Sequence, residues 1–558
     1  MRLRWQRAAP DATNVWDQAL AVELLSGRLW PLPFDAEEHE PAPGEGGPVL
    51  AHGVLARNRA WTTPSPWSLV LHTSDEEQTW DSGAMRSERV KTWLNHAHPL
   101  RPIAHDRRTL IGWTPGTREA LADMERKPSA GRALCGFAGQ SQNLSRARML
   151  EILRREGADV AVSQGFGASV SGLSRADYLR FLTEHAVVPC PVGNVSPDTM
   201  RLYEAIESGC VPIVERRFRG WPETTDFWDW TAGSAGPPPF PRVDSWDELS
   251  GILDRYRTNP EILQRDATAA LAWWIGVKRQ MAMDLIDDTR ALGSGVDHHP
   301  VTIIIPTSPA PSHPSTAMIE DTVARLRAYA GIARADIIIT VDGVRAEDEH
   351  RRADYEEYTR KLVDMCNWHP SFRGCWPIVF REHTHQVGMM REALRHVRTP
   401  LVFYVEHDTY PGGEVPFEAM IDAFNDSRVN VLRLHIFHEV IPDHRTLYSP
   451  EVIEVAGIPI QETRQWSQRP HLARADWYRR TLAEHFDPRD VGMIEDRLYG
   501  IVCDRPLEPW GIFVYAPRDG SMERSFTSDG RGRDPKHGMV YWINGERRET
   551  PGAPGRPE

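Results

Sequence analysis

Short apolar runs without polar interruption recur along this chain, each closed by a polar turn and most followed by a helical stretch. VTIIIP (301–306), DIIITVD (336–342), LVFYV (401–405) and residues 429–436 mark the second half, with a helix read over 319–330. A strand with one wet face alternates apolar and polar side chains. A run without alternation fits a strand covered on both faces, as in a parallel sheet. The first half repeats the arrangement: WSLVLH (67–72) and residues 133–138, 187–191 and 211–215 read as strands, and residues 144–156 and 200–208 as helices. This alternation predicts α/β architecture in both halves. Ligands of such sheets bind beyond the carboxyl ends of the strands, so residues just past a strand carry the most weight.

Composition sets outer bounds. With 41% hydrophobic and 26% charged residues, the 558-residue chain is an ordinary globular one, which excludes wholesale disorder, collagen and coiled coil. The formal charge of -13, from 65 Lys+Arg against 78 Asp+Glu, speaks against long-range attraction to a polyanion. Six cysteines without a CxxC pair form neither a disulfide framework nor a zinc ribbon, and a reduced, cytoplasmic setting is the expectation. Residues 1–17 show no apolar signal-peptide core, and no run of 18 apolar residues suggests a membrane span. The 20 Trp suit clefts for sugars or bases, and suit a core equally well. Residues 35–48 and 231–241 read as loops, 291–300 as a domain boundary and 544–558 as a frayed tail.

The sharpest local signal in the second half is TPLVFYVEHDTYP (399–411), an apolar strand ending in Glu406-His407-Asp408. Carboxylates there can hold a divalent cation, and the cation a diphosphate; the plain alternative is an acidic turn. Asp342 ends an earlier strand in the same way, and QVGMMREA (386–393) reads as a glycine turn opening a helix. Further on, GMIEDRLYG (492–500) sets Glu495 and Asp496 before a helical segment, where they are either a helix cap or a proton acceptor. WSQRPHLAR (466–474) is a candidate acceptor wall.

Taken together these elements over residues 301–537 resemble a GT-A nucleotide-sugar glycosyltransferase. The resemblance implies that Asp342 and Arg391 contact the donor. It makes Asp408 a ligand of Mn²⁺ or Mg²⁺, Glu406 a ribose or metal contact, and His537 a further metal ligand. It also makes the pair Glu495 and Asp496 the source of the general base, with Asp496 slightly favoured. The first acid of the triplet is Glu where that family has Asp.

In the first half, VPCPVGNVSPDTMRLYEAIESGCVPIV (188–214) gives a strand, a Gly/Asn/Pro loop, a helix carrying Arg201 and Glu204, and a second strand. Backbone N–H groups at the loop and helix start suit an anion, and a guanidinium suits phosphate. The segment is similar to the donor-binding signature of exostosin-like glycosyltransferases, which have the GT-B fold. The resemblance implies nucleotide-sugar binding by Arg201 and Glu204, with Gly193 and Asn194 near the diphosphate and no metal. Residues 137–148 (FAGQSQNLSRAR) add Arg146 as a phosphate contact. HTSDEE (72–77) offers Asp75, Glu76 or Glu77 as a base or an acidic turn.

An exostosin-like half followed by a GT-A half is the layout of the animal exostosins. The implied plan is an acceptor-side Rossmann-like subdomain (1–125), a donor-binding subdomain (126–292), a linker (293–300), a GT-A domain (301–543) and a tail (544–558). The first two form a compact GT-B-like pair. The expected function is transfer of hexosyl or pentosyl groups from nucleotide-sugar donors to a glycan, a protein or a hydroxymethylated DNA base, in a bacterial or virus-infected cytoplasm. Three readings stay open: two active sites, one active GT-A site beside a binding half, and a non-catalytic sugar-binding protein.

Overall fold

A computed structural model describes residues 2–6, 19–33, 35–38, 49–52, 68–72, 90–94, 106–141, 144–163, 173–193, 196–232, 235–291, 295–440, 442–503, 510–527, 540–543 and 546–549. The chain divides into two units, Met1–Asp297 and His298–Glu558. Both are α/β, as the strand pattern predicts.

Among the described residues the N-terminal unit holds two parallel sheets. The first orders β1 (Arg2–Gln6), β2 (Asp35–Glu38), β3 (Val49–His52), β4 (Ser68–His72), β5 (Val90–Leu94) and β6 (Asp106–Arg108) as β2-β1-β3-β4-β5-β6. Strand β2 falls inside the expected loop 35–48. Its acidic sequence suits the edge position it takes beside β1. The second sheet orders β7 (Ala133–Gln140), β8 (Asp159–Ser163), β9 (His185–Cys190), β10 (Val211–Glu215) and β11 (Arg242–Val243) as β11-β10-β9-β7-β8, all parallel. The chain leaves β7 to one side for β8 and returns on the other for β9, which makes a switch point between β7 and β9.

Among the described residues seven α-helices accompany these sheets: α1 (Ala19–Leu25), α2 (Thr117–Ala122), α3 (Leu144–Arg155), α4 (Arg175–Glu184), α5 (Met200–Glu207), α6 (Leu249–Thr258) and α7 (Pro260–Ala291). A buried charge cluster joins four of them. Glu207 of α5 accepts from Lys278 Nζ and Trp274 Nε1 of α7, at 2.9 and 2.8 Å, and from Arg118 Nη1 of α2 at 2.7 Å. Arg118 also approaches Glu23 of α1 at 3.4 Å. Burial pushes the Glu23 carboxyl up to about 7, against the pull of Arg118. Burial likewise pushes Lys278 down to about 8, against the pull of Glu207. At the far end of α7, Asp288 accepts from Trp93 Nε1 at 2.8 Å and from Arg107 Nε at 2.7 Å, both on the first sheet.

The C-terminal unit is built on β12 (Val301–Thr307), β13 (Asp336–Val341), β14 (Cys375–Val379) and β15 (Leu401–Tyr404). They lie parallel in the order β14-β13-β12-β15, again with a switch point at the first strand. Ile303, Ile304, Ile305, Ile337, Ile338, Ile339, Val402 and Phe403 are at most 1% exposed. Each such side chain contributes roughly 1.5–3 kcal/mol when buried, which explains the absence of alternation. Past β16 (Thr409–Pro411), the sheet continues through β17 (Val431–Arg433), β18 (Tyr448–Val455), β19 (Ile458–Thr463), β20 (His471–Arg474) and β21 (Ile512–Tyr515) in the order β15-β20-β17-β21-β19-β18. The helices are α8 (Ala317–Ala328), α9 (Arg352–Trp368), α10 (His385–His396), α11 (Phe417–Asp422), α12 (Ala475–His485) and α13 (Ile494–Cys503). Within the segment expected to fray, Glu546–Glu549 pairs antiparallel with Val540–Ile543. No helix among the described residues is long and apolar enough to cross a membrane.

Candidate functional site

A cleft of about 360 Å³ opens in the C-terminal unit at the carboxyl ends of β12, β13 and β15. Its walls are the loop Pro306–Pro309, Asp342, Arg345, His383, the first turns of α10, the triplet Glu406-His407-Asp408, and Met493. Sequence reasoning marked the acids. It missed His383, His385 and Gln386, whose importance comes from contacts between distant segments.

Asp342 is 2% exposed and caps α10. Its Oδ1 accepts from the N–H groups of Gly343 and Thr384 at 2.9 and 2.7 Å, and its Oδ2 from that of His385 at 3.1 Å. His383 Nδ1 stands 2.8 Å from the same Oδ2. The expected donor contact at Asp342 is therefore a carboxylate that already serves the protein's own donors. His385, the first helical residue, has a φ of 57°, which only a firmly held backbone sustains. Burial holds its imidazole below the usual histidine range. The helix thus begins at His385, and Gly388 lies inside it; QVGMMREA is helix, with no turn at its glycine. A Cβ at Gly388 would meet Thr384 Cγ2 at 2.1 Å, so the glycine answers a close approach.

The triplet is buried, with Glu406 at 7% and Asp408 at 4% exposure. Glu406 Oε1 accepts from Gln386 Nε2 at 2.9 Å, and Asp408 Oδ1 from Thr409 Oγ1 at 3.1 Å. His407 is pinned between β12 and α8: its Nδ1 lies 3.1 Å from the Pro306 carbonyl, and its own carbonyl accepts from Thr322 Oγ1 at 2.8 Å. Among the described residues no three His, Cys, Asp or Glu side chains stand together as a metal cage. Two buried carboxylates beside an open cleft nevertheless fit a hard divalent cation that takes its other oxygens from a diphosphate and water. His537 lies outside the described residues.

Glu495 and Asp496 occupy the first turn of α13, directly after the cleft-lining Met493. Glu495 is half-buried and its Oε2 accepts from the Gln468 N–H at 3.2 Å, whereas Asp496 is exposed. Arg391 is the expected donor contact on α10. Its guanidinium donates to the carbonyls of Leu482, Phe486 and Asp487 at 3.0, 2.7 and 2.6 Å, so it closes the end of α12. The expected acceptor wall 466–474 is largely core: Trp466 and His471 are 0% exposed, and Trp466 stacks on Trp477 with ring centroids 5.8 Å apart. Among the described residues no tryptophan lines the cleft.

The N-terminal unit gathers a second group at the switch point between β7 and β9. Arg146 of α3 is 9% exposed and donates to the carbonyls of Gln140 and Val192 at 3.2 and 3.3 Å, while its Nε has no partner among the described residues. Burial, then the charge of Arg201, pushes Arg146 down to about 10. Arg201 donates to the Ala138 carbonyl at 3.2 Å and lies over the Phe137 ring, 4.7 Å from its centroid. Gly139 makes room for it: a Cβ there would lie 2.1 Å from Arg201 Nη2. Among the described residues no carboxylate pairs with either guanidinium within 4.0 Å. Arg146 is buried and Arg201 partly buried beside it, with Glu215 the carboxylate whose charge bears on Arg146; a bound anion would offset the repulsion between the two guanidinium groups.

Gly193 follows β9, and its N–H closes the loop on the Ser196 carbonyl at 2.9 Å. Asn194 and the group Asp75, Glu76 and Glu77 lie outside the described residues. Glu204 is the expected ribose contact on α5. Its Oε1 accepts from the Thr114 N–H at 3.3 Å and its Oε2 from Tyr178 Oη at 3.0 Å, which ties residues 114–117 and α4 to α5.

Comparison with known proteins adds one family. The family model described as RXYLT1 C-terminal domain, a glycosyltransferase-related family, matches residues 123–290. That segment contains β7 to β11 and the Arg146–Arg201 group. No curated protein matches the chain. Among solved structures, a mannosyltransferase from Pyrobaculum calidifontis in complex with GDP-Man and Mn²⁺ aligns at 14% identity and a TM-score of 0.26, over 40% of this chain and 55% of that one. S. aureus TarS aligns at 15% identity and a TM-score of 0.24, over 39% of this chain and 35% of that one. A TarS fragment, residues 1–349 with UDP-GlcNAc, aligns at 13% identity and a TM-score of 0.23, over 42% of this chain and 62% of that one. The chain thus spans about half of the mannosyltransferase and a third of full TarS. The fold itself rests on the strand orders given above.

Proposed function

We propose that this chain is a glycosyltransferase that uses nucleotide-sugar donors, with a metal-assisted cleft in the C-terminal unit and a second, metal-free donor site in the N-terminal unit. The observation that carries the reading is the convergence of Asp342, Glu406 and Asp408 on one cleft at a sheet switch point. The match of residues 123–290 to a glycosyltransferase-related family supports it from the other unit.

In the cleft, Asp408 with Glu406 would hold Mn²⁺ or Mg²⁺, and that cation would neutralise the leaving diphosphate when bound. Glu495 or Asp496 takes the proton of the acceptor hydroxyl as its oxygen bonds to the anomeric carbon and the nucleoside diphosphate departs. In the N-terminal unit, Arg146 and Arg201 meet the diphosphate directly. The sugar is a hexosyl or pentosyl group, and the acceptor a glycan, a protein or a hydroxymethylated DNA base.

A second reading has one active site, in the C-terminal unit, beside a binding half. It is favoured by Glu204 and Gly193, whose polar groups are committed to bonds within the protein. Hydrolysis and transfer from a panel of nucleotide sugars, run on wild type, Arg201→Ala and Asp408→Ala, separates the two. If Asp408→Ala abolishes every activity including donor hydrolysis, the two-site reading falls. If neither variant changes activity or donor binding, both enzyme readings fall.

A further inference from the structure

A side chain of α10 joins the donor-side acid Glu406 to the helix that starts with Ile494-Glu495-Asp496. Gln386 is 9% exposed in the first turn of α10. Its Nε2 donates to Glu406 Oε1 at 2.9 Å, and its Oε1 accepts from the Ile494 N–H at 3.3 Å. We infer that Gln386 is a positioning residue that sets the orientation of Glu406 and, through the same amide, the place of the first turn of α13.

Only one orientation of the amide satisfies both neighbours. Turned over, it would set its oxygen against the carboxylate of Glu406 and its NH₂ against the Ile494 N–H, losing both bonds. The bridge is anchored at both ends. Asp342 fixes the start of α10 through the N–H groups of Thr384 and His385, and the Val387 N–H donates to the Gly492 carbonyl at 3.4 Å beside the bridge. Removing the amide takes a donor from the buried Glu406 carboxylate and so loosens the orientation of that side chain. Gln386 therefore acts through Glu406 and Ile494, with no part in the bonds that form or break.

This inference rests on the proposed function of the cleft, and its test keeps the two apart. Calorimetry is run on the full chain with Mn²⁺ and each of UDP, GDP, ADP and CDP, alongside donor hydrolysis and transfer for the matching nucleotide sugar. Gln386→Met removes both bonds at similar volume. Its affinity for the nucleoside diphosphate with Mn²⁺ should fall about five- to twenty-fold, with transfer falling more steeply than hydrolysis because only transfer needs α13 in place. Combined with Glu406→Gln, it should add less than two-fold on the diphosphate, since its donor-side effect runs through Glu406. Gln386→Glu keeps an acceptor for Ile494 and sets two carboxylates together, so it should weaken diphosphate binding even if Gln386→Met does not fold. The inference is overturned if the single variants stay within two-fold of wild type, or if the effects of Gln386→Met and Glu406→Gln multiply in full. If Asp408→Ala also leaves binding and turnover at wild-type level, the proposed function falls and takes this inference with it.

Discussion

The two candidate sites occupy the same place in their sheets and are built from opposite charges. In the N-terminal unit, Arg146 and Arg201 lean on carbonyls at the ends of β7 and β9 and have no carboxylate partner within 4.0 Å among the described residues. In the C-terminal unit, Asp342, Glu406 and Asp408 face the cleft, with Arg345 and three histidines around them. A site of cations can hold a diphosphate unaided. A site of acids repels one unless a cation stands between. The same topology therefore hosts two electrostatic solutions, and the contrast yields different expectations for metal, salt and mutation.

The largest effect should fall on the acidic site. Asp408→Ala is expected to lower turnover of the C-terminal cleft by about 10²–10³-fold, the usual cost of losing one preorganised electrostatic contact, read as donor hydrolysis with Mn²⁺. EDTA should produce the same loss in wild type and leave diphosphate binding by the N-terminal unit intact. Equal sensitivity of both units to EDTA would erase the contrast.

Next comes the cationic site. Arg201→Ala should weaken diphosphate binding there by roughly 10–100-fold, the range of a charge-assisted hydrogen bond, and reduce its dependence on salt. Isothermal titration at two ionic strengths reads both. Gly139→Ala tests the same group more gently. The added methyl meets the end of the Arg201 side chain, so binding should fall by less than in Arg201→Ala while metal-dependent turnover stays unchanged.

The smallest effect concerns the scaffold under the cationic site. Folding raises Glu23 to about 7, so its contribution to stability is full below the ordinary value of 4.5 and is lost as pH rises through 7. Lys278 is lowered from 10.5 to about 8, so its contribution is present above 10.5 and is lost as pH falls through 8. Glu23→Gln should therefore gain Tm relative to wild type as pH rises from 4.5 to 7, by a few degrees. A difference that stays flat across that window would show that Glu23 ionises as freely folded as unfolded.

The sheets were legible from sequence where burial was two-sided. The runs at 301–306, 336–342 and 401–405 carry no alternation because both faces are covered. β2 escaped notice because an edge strand tolerates the acidic residues that read as a loop. At the two sites, residue type announced charge but not its destination. Arg391 and Glu204 look like ligand contacts in sequence, yet three carbonyls take the first, and Thr114 with Tyr178 takes the second. Gln386 was invisible for the converse reason: an uncharged residue in a helical stretch gains its importance from Glu406 and Ile494, 20 and 108 residues away.

Helix α7 runs for 32 residues, about 48 Å. It meets Glu207 of the second sheet's helix layer near its middle and Trp93 and Arg107 of the first sheet near its end. The last helix of the second sheet is thus also a support of the first, although the two are far apart in the chain. A gene fragment that stops before residue 284 would leave Trp93 without Asp288 and Arg107 without Asp284 and Asp288, while one that ends at 297 keeps both carboxylates. Anyone dissecting this protein for expression should cut there, and a random nonsense mutation in the last turns of α7 should harm the opening strands, which were synthesised first.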